Sequence, residues 1–387
     1  MSILNFIQEY THTTTYKSFK YSFESYNIPQ LNYDDKPNMV FKENGEDNPP
    51  KTIKDIRPEA KLRETIPLFK YFLDGSRRTY KVDDVAVNNK IYPILAGQIG
   101  VAVCERENPS HFQKLELENQ LVLVLPKILN DKGKGTEELY FNKFNEELNQ
   151  KAFLKKHNIQ FSKTLFYDSE SIGKDQDESD KYQKRGIAKI QDTMVGLEKK
   201  LVERLCKKGS LSENEPDKGY LIKDGSLEYS QQGVEKGYQL ANLISNYRKV
   251  VGVSKSFNIE NLKDKNQKSL AVSISQLPIG HRTPAYKYHH DTIGKVNFTV
   301  WFIRIRELKY SESPFAGVIK VEKIITDDNH VIGTDEVDMI SANLFNERNP
   351  VCYGTDTRWA NHLYPIFLTE TFIKSNYLSN EYFLHLF

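Results

Sequence analysis

The sequence predicts an α/β chain, a mixed sheet flanked by helices with a helical and loop segment inserted near the middle. Three observations carry that expectation. Three apolar runs follow in series between Phe69 and Leu125, a helix-period pattern occupies Gly186 to Lys208, and a fourth run, Gly219 to Lys223, ends at Asp224. The first and fourth runs end in the same tripeptide, Asp74-Gly75-Ser76 and Asp224-Gly225-Ser226. Each reads as a carboxylate at a strand end, with glycine turning the backbone away beside it.

Composition bounds the function classes. The 387 residues are 39% hydrophobic and 27% charged, enough for one large core or two smaller ones. With 54 Lys and Arg against 52 Asp and Glu the net charge is +2, so any basic surface for nucleic acid must be local. Cys104, Cys206 and Cys352 are odd in number and lack metal-ligand spacing, as expected in a reducing compartment. No run approaches the roughly 20 apolar residues of a membrane span, and Met1 to Tyr10 carries Gln8 and Glu9 without a basic leader. A cytoplasmic protein is expected, with no membrane association.

Residues 1–60 are polar, contain Asn48-Pro49-Pro50, and read as an extension that wraps the core or meets a partner. Pro58 opens a short helix and Pro67 stops it. The first strand, Phe69 to Leu73, delivers Asp74, after which Arg77 and Arg78 are candidates to hold phosphates. Ile91 to Cys104 and Leu115 to Leu125 complete a meander. Residues 127–185 read as an insertion with a helix around Glu137 to Lys156 and an acidic loop at Lys174 to Asp180.

Along Gly186 to Lys208 the apolar residues Ile187, Ile190, Met194, Leu197, Leu201 and Leu205 recur at helical spacing. Glu198 falls about 60° from the centre of that stripe and Glu203 about 160° away, so Glu198 is the acid able to look toward the core's edge. The strand ending at Asp224 follows. Three strands, a helix and a further strand are the order in which a ribonuclease H-like fold is built. Beyond it come a helix over Gly233 to Val250, a strand ending near Lys255, and strands at Ser269 to Ile274, Asn297 to Ile305 and Gly317 to Ile325. Lys255 is a candidate phosphate ligand. The basic, aromatic loop with His281 and Arg282 suits single-stranded nucleic acid, while its neighbours His289, His290 and Asp291 have no metal-ligand spacing. Tyr364-Pro365 opens a closing helix.

Two acids on neighbouring strand ends are suited to share a divalent ion that activates water against a phosphodiester. Asp-Gly is equally a common plain turn.

Taken together, Asp74-Gly75-Ser76, the helix with Glu198, Asp224-Gly225-Ser226-Leu227, Gly252-Val253-Ser254-Lys255, Phe302-Ile303-Arg304 with Val318 to Glu322, and Tyr364-Pro365 resemble the NurA nuclease family. These sparse landmarks span Leu68 to Ile373, interrupted by the insertion. The resemblance implies a ribonuclease H-like nuclease domain over residues 61–387 that degrades DNA with Mn2+ or Mg2+. It makes Asp74 and Asp224 metal ligands, Glu198 the third acid with Glu203 as the alternative, and Tyr364 a catalytic residue. The family places a histidine eight residues after that tyrosine. Here the position is Phe372, which implies either lost activity or proton transfer by His362 or Glu370. The resemblance also implies a homodimer docked on a HerA-like hexameric ATPase, in DNA end processing or antiviral defence. The chain itself lacks a Gly-x-x-x-x-Gly-Lys-Ser/Thr loop. The rival expectations are a catalytically silent DNA-binding or scaffold subunit with the same fold, and an interaction protein in which both tripeptides are structural.

Overall fold

The computed structural model describes residues 2–23, 39–41, 43–130, 135–170, 178–211, 219–227, 244–258, 262–264, 268–289, 297–307, 313–325, 331–352 and 359–387. Helix α1 (Ile3–Thr11) buries Ile3, Leu4, Phe6 and Ile7, and helix α2 (Arg57–Leu62) begins at the expected proline. Strands β1 (Phe69–Val87), β2 (Lys90–Asn108) and β3 (His111–Pro126) form the antiparallel meander. Asn88 and Asn89, at φ 50° and 62°, close the first hairpin in the left-handed geometry that a two-residue turn between twisted strands requires.

The insertion holds helices α3 (Glu137–Asn149) and α4 (Ala152–Lys156), where one helix was expected, and then strand β4 (Lys163–Tyr167), which pairs parallel with β3. Helix α5 (Glu178–Lys207) opens within the acidic stretch and lies across β1 and β2. Strands β5 (Tyr220–Asp224) and β6 (Val250–Ser254) run parallel to each other, and β5 runs parallel to β1. The chain continues through helix α6 (Ala271–Ser275) and strands β7 (Tyr286–His289), β8 (Asn297–Arg304) and β9 (Val318–Ile324). It closes with helices α7 (Thr334–Asn346), α8 (Tyr364–Ser375) and α9 (Asn380–His385). The sheet order is β7-β8-β9-β6-β5-β1-β2-β3-β4, with the short strand Glu43–Asn44 outside β7. This is the mixed sheet flanked by helices that the sequence predicts, with its ribonuclease H-like series β3-β2-β1-β5-β6.

Alternate residues of the central strands serve two cores. Leu73 and Leu221 face α5 with Leu197 and Leu201, whereas Phe72, Ile222, Val251 and Val253 face α7 and α8 with Ile340 and Ile366. That division decides where each functional side chain can go.

Two local expectations change. Asp74-Gly75-Ser76 is not a turn: β1 runs straight through it, with Asp74 opposite Ala102, Gly75 opposite Val101 and Ser76 opposite Gly100. The partner strand continues, so every backbone group finds a ladder partner without turning. Ser269 to Ile274 is not a strand. Ser269 Oγ accepts the Ala271 N–H, a helical turn follows, and only Ile274 is buried while Val272 lies exposed. Val318 to Ile324, in whose sequence Val318, Lys320 and Glu322 alternate against Ile319 and Val321, is buried on both faces, with β6 and β8 flanking it. The helix expected over Gly233 to Val250 falls mostly outside the described residues, as do Lys174 to Asp177, His290 and Asp291. Among the described residues, no helix is long and apolar enough to cross a membrane.

Candidate active site

β1 and β5 are parallel neighbours, with Ile222 opposite Phe72 and Lys223 opposite Leu73. One further step along the pair sets Asp224 beside Asp74, both on the face toward α8. β5 ends there because Gly225 adopts φ 86°, and its N–H donates to the Val253 carbonyl at 2.8 Å. The turn is clamped from below. Ser226 Oγ and the Leu227 N–H both donate to Glu322 Oε2, at 2.8 and 2.7 Å, and Glu322 is wholly buried on β9.

Asp74 is 3% exposed. Burial, then the Asp224 charge, push its carboxyl well above the ordinary range; Lys255 pulls the other way, and Glu370 and Glu198 add to the rise. Lys255 Nζ pairs with Asp224 Oδ2 at 3.0 Å. Burial disfavours the Lys255 charge, but Asp224, Asp74 and Glu370 outweigh it and hold the ammonium above its usual range.

Glu198 approaches from the opposite side of the sheet. It is 2% exposed on α5, and its carboxylate lies where a side chain on Gly75 would stand. Glu198 Oε2 lies 3.0 Å from Lys223 Nζ, near enough for an ion pair but off the axis of a hydrogen bond. Burial raises its pKa, Lys223 opposes the rise, and Asp224 adds to it. Glu198 thus packs against Gly75 on the face of the sheet that carries Lys223. Glu370, on α8, is the fourth acid of the group and pairs with Lys374 at 2.6 Å.

The donor chemistry fits a hard divalent cation. The Asp224 charge disfavours ionisation of the buried Asp74 carboxyl, Lys223 and Lys255 offset the acids in part, and added positive charge would favour the ionised form. Among the described residues, however, no three His, Cys, Asp or Glu side chains converge as ligands on one point. The sheet divides Glu198 from the aspartates, and lysines stand against Glu198 and Asp224.

The other expected residues are scattered. Glu203 is half-exposed and pairs with Lys207. Arg77 lies on the α5 face and donates to Gln191 Oε1 at 2.7 Å, while Arg78 lies on the Asp74 face over the Tyr377 ring. Arg282 cannot meet substrate: it is wholly buried, forked onto Glu46 at 2.9 and 2.8 Å, and donates to Asp338 at 2.7 Å. His281 sits in a short strand beside Asp55, its Nδ1 3.1 Å from the Ile279 carbonyl. Tyr364 opens α8 with its ring against Phe112, beside the buried Arg106–Glu347 pair. Phe372 lies under the Lys114 ammonium, 4.1 Å from ring centre to Nζ. His362 is buried with its ring edge-on to Phe367.

Sequence reasoning missed Lys223 and Glu322. Lys223 was hidden because it precedes the aspartate by one residue and so reads as the outward face of the strand. Glu322 had a signal, since Lys320, Glu322 and Lys323 are charges within a run of Val and Ile.

No protein-family model matches the chain, and no curated protein matches it. Among solved structures it is similar to the crystal structure of the NurA nuclease from Sulfolobus solfataricus, at 12% identity and a TM-score of 0.41, over 84% of this chain and 82% of that one.

Proposed function

We propose that the chain is a divalent-metal-dependent nuclease that hydrolyses phosphodiester bonds of DNA. The observation that carries the reading is the juxtaposition of Asp74, buried, and Asp224, partly exposed, at adjacent positions of parallel strands, close enough for the Asp224 charge to repel that of Asp74. Mn2+ or Mg2+, when bound, supplies charge to the phosphate oxygens and lowers the pKa of water. Asp74 and Asp224 would hold the ion, and Glu198 would complete the set by swinging from Lys223. Lys255, beside Asp224, would meet a phosphate oxygen. Glu322 holds the turn that fixes Asp224. The resemblance in sequence extends the proposal to a homodimer serving a HerA-like hexameric ATPase, in end processing or defence.

A second reading has one observation in its favour. Phe372, packed under Lys114, stands where the resemblance calls for histidine, as in a DNA-binding subunit without chemistry. Cleavage of end-labelled single- and double-stranded DNA with manganese, magnesium or EDTA decides between them. Metal-dependent cutting lost in Asp74→Ala and Asp224→Ala establishes the nuclease. Binding without cutting, alone or with a HerA-like translocase, establishes the silent subunit.

A further inference from the structure

We propose that the cleft between α2, the β2–β3 hairpin and the end of α7 holds an unstacked nucleobase whose phosphate lies at the acid pair, so that the protein grips a single nucleic-acid strand. The proposal rests on the nuclease reading and adds the form of substrate to it.

The cleft encloses about 370 Å³, at the low end of the roughly 300–1,000 Å³ of ligand pockets. Flat surfaces dominate its wall. The Phe112 and Tyr364 rings meet at 77° with centroids 6.3 Å apart, and the Arg106 guanidinium lies 4.9 Å from the Phe112 centroid and 5.1 Å from that of Phe72. This is not an anion pocket, because Arg106 is neutralised by a two-pronged pair with Glu347 at 2.7 and 2.6 Å. Hydrogen-bonding capacity is nevertheless left over. Asn346 donates its Nδ2 to the Ala60 carbonyl, which leaves its side-chain oxygen as an acceptor at the wall. The partly exposed Phe112 and Tyr364 rings together with the Asn346 acceptor suit a heteroaromatic base, which stacks on its faces and hydrogen-bonds at its edge.

Position supports the same occupant. Phe72 and Asp74 share a face of β1 two residues apart, about 7 Å, and the Phe72 and Phe112 centroids are 5.6 Å apart. A strand with its phosphate at the acids therefore has a neighbouring base within reach of the cleft. A second hollow of about 330 Å³ shares Glu64, Asn346 and Asn349 with the first and brings Arg57, Lys61 and Arg348 to its wall, where the next phosphates would run. A paired base in a duplex cannot enter such a cleft without leaving its stack.

The test is binding in EDTA, where no cutting occurs, of a labelled 12-nucleotide single strand and of the corresponding blunt duplex. The single strand is expected to bind more tightly, and Phe112→Leu and Lys61→Glu to weaken it about tenfold. Absent single-strand binding by the wild type, or unchanged binding in folded variants, overturns the proposal. Should Phe112→Leu fail to fold, photocrosslinking of a 5-iodouracil oligonucleotide to the wild type decides: an adduct on Phe112 or Tyr364 supports the cleft, and adducts only elsewhere overturn it. Failure of the nuclease reading looks different. Cutting that needs Asp74 but ignores the cleft variants removes the cleft alone, whereas cleft-dependent binding with no cutting under manganese removes the nuclease alone.

Discussion

Gly75 stands where the Glu198 carboxylate needs its room: a Cβ built on Gly75 would overlap Glu198 Oε1. The neighbour that must yield is the far end of a flexible side chain, not backbone. Gly75→Ala is therefore expected to fold with a melting temperature close to that of the wild type and to lose about 10²-fold in metal-dependent cleavage, the cost of a carboxylate displaced by about 1 Å. Unchanged cleavage would place Glu198 outside the chemistry.

Asp74 gives a pH signature. Its folded carboxyl holds a proton above the unfolded aspartate value of about 3.9, so the folded chain is favoured in acid and is penalised as Asp74 ionises at higher pH. Asp74→Asn should therefore raise the melting temperature at pH 7 to 8 in EDTA, and the gain should vanish as pH falls to about 4. A variant less stable than the wild type at pH 7.5 would contradict the repulsion described for the site.

Lys255 occupies part of the space around Asp224 that a cation would claim. Removing its charge in Lys255→Gln should tighten Mn2+ binding in calorimetry by about tenfold, equivalent to about 1.4 kcal/mol, while slowing cleavage. Asp74→Ala and Asp224→Ala should abolish that binding and cut cleavage by about 10³-fold or more, since the ion contributes several kcal/mol. Equal Mn2+ affinity in all four proteins would argue against a metal at this place.

Arg282 serves the fold. Its buried pairs with Glu46 and Asp338 tie the amino-terminal segment to β8 and α7, and Glu46 also accepts the Ala285 N–H at 2.7 Å. Glu46→Ala strips the buried Arg282 of its two-pronged partner, leaving Asp338 on Nε, and takes the acceptor from the Ala285 N–H, so it should cost about 3–5 kcal/mol in urea unfolding. A loss below about 1 kcal/mol would show that water reaches Arg282.

Periodicity and turn chemistry were enough to read the meander from Phe69 to Leu125, the amphipathic helix carrying Glu198 and the strand ending at Asp224, because burial on one face writes itself into residue spacing. The same angular argument separated Glu198 from Glu203, and the structure has the first buried and the second half-exposed. Spacing cannot tell whether a glycine after an aspartate turns the chain or makes space for a neighbour. Gly225 turns; Gly75 makes room.

The sequence by itself determined the apolar faces of the meander and of the helix carrying Glu198, and with them the fold class and the two aspartates. Only the tertiary structure decided the partners. Asp74 meets Asp224 because β1 and β5 pair in parallel across some 150 residues of intervening chain, as their numbers show. Glu198 meets Lys223 rather than the aspartates because the pleat turns neighbouring residues of β5 to opposite faces. Arg282, polar and basic in a loop-like stretch, lies in the core because Glu46 and Asp338, far away in sequence, neutralise it there. Long-range charge pairing leaves no local mark on residue spacing, so these choices appear only once the sheet is assembled.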